Sequence, residues 1–204
     1  MTVSTFVSRV SGRVFAALAM GIALPAGMLG AQASSNFELR PFVGGLVQTG
    51  QQRSLLENSV LAGADVSWQF QRNFAVTGSF AWAPSNDKAV STNDARMDLY
   101  QYDLGVEART SDLLKNPAWS VRPYAALGAG ARTYNYRNLD NASAQTDFLG
   151  HGSIGVDIAP EASRAGLRIE ARDNVSAFRG LHGELADRSA RNDVQFTAGL
   201  TIRM

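Results

Sequence analysis

The sequence contains no cysteine. That absence excludes disulfide staples, thiol chemistry and attachment through a lipidated cysteine, so stability has to come from backbone pairing and packing. Lysine is almost as scarce. Lys88 and Lys115 stand against 17 arginines, whereas soluble domains usually spread many lysines over their surface. Arginine, aspartate and glutamate are the charges that pair in fixed geometry. Histidine occurs twice, at His151 and His182. There is no cluster at metal-ligand spacing, no phosphate-binding glycine loop and no nucleophile elbow, so no catalytic residue, metal or cofactor is expected. Nor is there a strong charge of one sign: the net charge is +1, which argues against a nucleic-acid binder.

What is present begins with a leader. Arg9 and Arg13 form a basic start, residues 14–30 an apolar run, and Ala31-Gln32-Ala33 a small-residue cleavage signature. The run is short for a spanning helix and is interrupted by Pro25. Residues 1–33 are therefore expected to be a cleaved signal peptide and residues 34–204 a single domain. Without Arg9 and Arg13, 17 basic residues face 18 acidic ones.

Within that domain the dominant pattern has a period of two. From Asp193 to the end, Val194, Phe196, Ala198, Leu200, Ile202 and Met204 alternate with Gln195, Thr197, Gly199, Thr201 and Arg203. This is a strand with one apolar and one polar face, and pairing it with the first strand would close a barrel. Seven more segments alternate in the same way: 37–47, 60–70, 74–82, 100–109, 121–136, 148–158 and 167–175. Asp173 falls on an apolar face, which suggests a bulge or the membrane rim there. Connections after odd strands are long (49–57, 84–96, 138–145 and 180–190). Those at 71–73 and 161–164 are short, and 110–119 breaks the pattern.

Alternation alone does not say which face is inside. A soluble eight-stranded barrel would bury the apolar face. The polar faces, however, carry both signs at mid-strand: Glu38, Asp65, Asp103, Glu107, Asp157 and Glu170 against Arg40, Arg109, Arg122, Arg132, Arg168, Arg172 and Arg203. They are also rich in glycine, as a narrow interior requires. On the apolar faces Phe37, Trp68, Phe70 and Phe74 gather at one end and Phe80, Trp82, Tyr100, Tyr102 and Phe148 at the other. Two aromatic girdles of this kind mark the interfaces of a membrane. The expected fold is thus all-β, an eight-stranded antiparallel up-and-down transmembrane barrel with a charged lumen and a lipid-facing exterior.

The leader, the eight strands, the unequal connections and the runs RPYAALGAG at 122–130 and GLRIEARD at 166–173 resemble the small outer-membrane barrels of the OmpA-like and OmpX-like superfamily. The resemblance implies location in the outer membrane of a Gram-negative cell. It also implies contact with outer-membrane lipids and lipopolysaccharide, insertion by the barrel-assembly machinery, and a monomeric state. Two departures stand out. Met204 occupies the end position where the family usually has an aromatic residue, which makes insertion less efficient or dependent on the penultimate hydrophobics. No peptidoglycan-binding domain like that of OmpA is expected.

Three roles follow. A structural or surface-interaction barrel with a plugged lumen and four outward loops is favoured, because buried charges in so narrow an interior must pair. A small porin-like pore is the alternative. A lipid-modifying hydrolase built on His151, Ser153 and Asp157 is a distant third, since that histidine lies on the expected lumen face. Arg53, Lys88, Arg96 and Arg188 are the expected loop cations for lipopolysaccharide phosphates.

Overall fold

The computed structural model describes residues 36–49, 58–86, 96–115, 118–137, 144–160, 163–176 and 191–204. The expected leader, His182 and the loop cations Arg53, Lys88 and Arg188 lie outside these residues. Nine strands are present among them: β1 Phe37–Gln48, β2 Ser59–Gln71, β3 Phe74–Asn86, β4 Arg96–Arg109, β5 Leu114–Lys115, β6 Trp119–Tyr136, β7 Gln145–Pro160, β8 Ala165–Ser176 and β9 Arg191–Arg203. All except β5 are staves of one barrel. Each pairs antiparallel with its neighbours in the chain, β4 pairs with β6, and β1 pairs with β9 to close the sheet. Closure leaves the eight staves without a free edge, which a spanning sheet requires.

The β2–β3 connection is a two-residue turn at Arg72 and Asn73. The connection after β4 is longer because it folds back: Leu114 and Lys115 pair with Val121 and Ser120 of β6. The break in the expected loop pattern is therefore a small added hairpin. Other boundaries move too. The expected loop 84–96 is strand at both its ends, with Pro84 opposite Asp98, Ser85 opposite Met97 and Asn86 opposite Arg96, and residues 87–95 lie outside the described residues. Of the two expectations for Asp173, a bulge or the membrane rim, the bulge is absent. Asp173 sits in unbroken register between Gly152 and Val194, exposed and three residues from the end of β8. The register does shift at Gln69–Gln71, beside the β2–β3 turn.

The burial pattern decides the orientation of the faces. Leu104, Leu127, Ile154, Phe148 and Phe196 are exposed, Leu127 to 74%, whereas Arg40, Arg132, Glu107 and Asp193 are almost wholly buried. The protein is apolar outside and charged inside, the reverse of a soluble barrel. Glycine makes the room where large lumen groups cross. A Cβ on Gly155 would lie 2.2 Å from the Tyr124 hydroxyl, and one on Gly128 would lie 2.4 Å from the His151 ring. Both are directly cross-strand pairs between β6 and β7, the arrangement in which an aromatic ring covers a facing glycine.

At the end of the barrel bearing the longer connections, the lumen changes character. Leu46, Leu61, Ala83, Met97, Leu99, Tyr134 and Tyr136 form a buried apolar cluster there, with Phe42 packed against it. On the outer face of the same strands stand Thr133 and Asn135, and Asp98, which is buried there by its bonds to Trp82 and Arg137. Polarity thus inverts beyond the upper aromatic girdle, where the wall no longer needs to be apolar.

Candidate functional site

The lumen holds the only chemistry of note among the described residues, and alternation puts it there. Every second residue of each stave points inward, so Glu38 and Arg40 on β1, Gln101, Asp103, Glu107 and Arg109 on β4, and Arg168, Glu170, Arg172 and Asn174 on β8 converge.

The network starts at the mouth where β1 begins and β9 ends. Arg203 Nε lies 3.5 Å from Glu38 Oε1 and remains partly exposed. Glu38 also accepts from Arg40 Nε at 3.1 Å and from Arg109 Nη1 and Nη2 at 3.0 and 2.7 Å. Glu107 accepts from three guanidinium groups: Arg40 Nη1 at 3.0 Å, Arg109 Nε at 2.5 Å and Arg168 Nη2 at 2.6 Å. Arg168 continues to Asp157 at 3.2 Å and to Glu170 at 3.4 Å, and its guanidinium carbon stacks 3.5 Å from the Tyr124 ring centre. Glu170 accepts hydrogen bonds from Tyr124 Oη at 2.7 Å and from Arg172 Nε at 2.9 Å. Arg172 Nη1 reaches Asp103 Oδ2 at 3.2 Å, and Gln101 Nε2 donates to the same oxygen at 3.1 Å. Gln101 Oε1 accepts from Arg132 Nη2 at 2.8 Å and Gln195 Nε2 at 2.9 Å. Arg132 then grips Asp193 through both terminal nitrogens, and Asn174 Nδ2 donates to Asp193 at 2.9 Å.

The chain of contacts is continuous from Arg203 to Asp193. It touches seven of the eight staves, β2 through Ser67 alone, whose hydroxyl oxygen accepts from Arg109 at 3.3 Å. Each of Arg40, Arg109, Arg168 and Arg172 binds at least two carboxylates. Buried charges are tolerable only when compensated in this way, because the desolvation cost is several kcal/mol per ion. Beside the network is a void of about 10 Å³ bounded by Arg40, Asp65, Arg168, Glu170, Arg172 and Thr197. That is room for roughly one water.

Not every expected member takes part. Asp65 is buried, yet one of its oxygens has no hydrogen-bond partner and it makes no ion pair with the described residues. Arg122 lies at the mouth instead of in the network, where its Nε bonds Asp112 Oδ1 at 3.1 Å. Asp193, Gln101, Tyr124, Asn174 and Gln195 are members the sequence reading did not single out. Asp193 shares the parity of Gln195 and Arg203, and that parity was the signal available.

His151 Nδ1 is 3.7 Å from Asp103 Oδ1, and Ser153 Oγ has no hydrogen-bond partner. The histidine and serine therefore do not form a nucleophile–base pair, and Asp157 is taken by Arg168 and by the Thr201 hydroxyl.

Outside, Phe37, Trp68, Phe70 and Phe74 are exposed at one end, with Trp68–Phe70 and Phe70–Phe74 ring centres 6.1 and 6.4 Å apart. Phe80, Tyr102 and Phe148 are exposed toward the other end, and Trp82 and Tyr100 are half-buried there. Trp119, exposed to 53%, joins the first end. It escaped the sequence reading because it was assigned to a connection.

The profile of the outer membrane protein beta-barrel domain matches residues 15–203. The chain belongs to that family. It is an integral protein of the cell outer membrane, and its eight staves are transmembrane strands. Among solved structures it is similar to Neisserial surface protein A, with a TM-score of 0.60 and 11% identity, covering 85% of this chain and 100% of that one. It also matches Ail, the attachment invasion locus protein of Yersinia pestis, with a TM-score of 0.42, 13% identity, and 83% and 100% coverage. The N-terminal barrel domain of Pseudomonas aeruginosa OprF gives 0.39, 12%, and again 83% and 100%. No curated protein sequence matches the chain.

Proposed function

We propose that this outer-membrane barrel is a sealed, non-conducting and non-enzymatic scaffold that holds its four longer connections at the cell surface. The observation that carries this reading is the continuous network of ion pairs and hydrogen bonds along the lumen, beside which lies a void of about 10 Å³. A conducting pore needs a continuous water path, and an eight-stranded interior is just wide enough for side chains to fill. The absence of a hydrogen bond between His151 and Ser153 supports the non-enzymatic part.

In this reading the mouth where β1 begins and β9 ends, with the short turns, faces the periplasm. The apolar belt between the aromatic girdles contacts lipid acyl chains, and the exposed Arg96 and the loop cations meet lipopolysaccharide phosphates. The barrel works as a monomer, and the assembly machinery inserts it through its last strand. The backbone N–H of Met204 donates to Phe37 O at 3.1 Å, continuing the β1–β9 ladder.

The test is planar-bilayer conductance of the refolded protein. The expected record is a flat baseline. Reproducible single-channel steps would replace the sealed reading with the pore.

A further inference from the structure

The mouth where β1 begins and β9 ends contains a second cavity, separate from the lumen network. It measures about 300 Å³ and is lined by Gln69, Arg72, Asn73, Thr110, Asp112 and Arg122. Two connections build it: the β2–β3 turn and the segment after β4. Their backbones are fixed to one another and to β6. Arg109 N donates to Asn73 O at 2.8 Å, Thr110 N to Pro123 O at 3.0 Å, and Asn73 Nδ2 to Arg109 O at 2.8 Å, while Gln69 Nε2 donates to Arg72 O at 2.7 Å. The amide side chains are thus spent on holding the walls.

The arginines are not spent. Arg72 is exposed and makes no ion pair with the described residues, and Asp112 engages only the Nε of Arg122. Two guanidinium groups and one carboxylate leave the cavity with one net positive charge. That charge matches a phosphodiester, and guanidinium forks bind phosphate oxygens in pairs. A cavity of this size suits a headgroup-sized ligand. Its level in the membrane points to the source. Phe70 and Phe74 flank the turn, and Trp119 follows the other connection, all exposed on the outer wall. Aromatic residues of this kind sit at headgroup depth.

We propose that this cavity binds the phosphate of an anionic phospholipid headgroup in the inner leaflet of the outer membrane. The assignment rests on the orientation given above.

The test uses the refolded protein in phosphatidylcholine bilayers, with spin-labelled phosphatidylglycerol and spin-labelled phosphatidylcholine as probes. Wild type is expected to favour phosphatidylglycerol about tenfold, the worth of a single charge-assisted hydrogen bond. The preference should shrink in Arg72→Gln and vanish in the Arg72→Gln, Arg122→Gln double variant. Arg72→Gln breaks no ion pair with the described residues, and folding is checked by heat-modifiable gel mobility. No preference in wild type, or an undiminished one in the folded double variant, overturns the proposal. Arginine-dependent binding of free glycerol 3-phosphate together with no wild-type preference for phosphatidylglycerol overturns the lipid source and assigns the cavity to a soluble phosphate ester. None of these outcomes bears on the sealed lumen, which the conductance record tests by itself.

Discussion

Glu107 is the residue on which the lumen depends most. It is fully buried and is the only acceptor among the described residues shared by Arg40, Arg109 and Arg168. Glu107→Gln keeps the shape and removes the charge, leaving three guanidinium groups under-compensated. Removing one partner of a buried pair costs about 3–5 kcal/mol. The variant should therefore lower the urea unfolding midpoint of the protein refolded in lipid vesicles by a corresponding amount. Arg203→Gln is the internal control. Its side chain is 35% exposed at the mouth, and an ion pair so open to water contributes roughly 1 kcal/mol or less. Equal effects from the two variants would mean that water reaches Glu107, and the lumen would then be hydrated instead of sealed.

Strands are where polarity inversion matters. Leu127 on β6 lies between the girdles and is the most exposed large hydrophobic side chain among the described residues. Leu127→Arg should cost about 2–4 kcal/mol in vesicle refolding, whereas Asn135→Arg, on the same outer face but beyond the upper girdle, should cost about 1 kcal/mol or less. A small penalty at Leu127 would remove the acyl chains from that face. The same inversion explains what the sequence made legible. Between the girdles the apolar and polar sets separate cleanly, so the eight staves, their inward arginines and acids and most of the aromatic belt could be read from alternation. Above the upper girdle, Met97 and Leu99 point inward while Asp98 points outward, so the period of two persists with its sign reversed. That hid the outer ends of β3 and β4. Likewise Pro84 reads as a break because it has no N–H to donate, although it pairs with Asp98 near the end of a strand where that loss is small. Partner choice was not legible at all. Which carboxylate Arg132 or Arg122 binds depends on the stagger of strands far apart in sequence, and no spacing encodes it.

For the molecule as a whole, strand order places the connections after β1, β3, β6 and β8 at one end and Lys115 at the other. With the longer connections outward, trypsin added to intact cells should cut at Lys88 or Arg188 and spare Lys115, as read from the masses of the released fragments. Cutting at Lys115 with Lys88 protected would invert the barrel in the membrane and undo the surface assignment together with the periplasmic placement of the phosphate cavity.

The network also bears on assembly. Its two ends both rest on β9: Asp193 is the carboxylate that compensates Arg132, and Arg203 completes the set around Glu38. Glu38 stands on the first strand, so the ladder that joins β1 to β9 and the neutralisation of the network's two ends arise in the same event. An open, unfinished sheet would hold Arg132 without Asp193, the carboxylate it grips through both terminal nitrogens, and would be penalised for entering a low-dielectric slab. The final strand thus couples ring closure to the last two ion pairs of the lumen, those of Arg132 and Arg203, while the central pairs around Glu107 are complete without it.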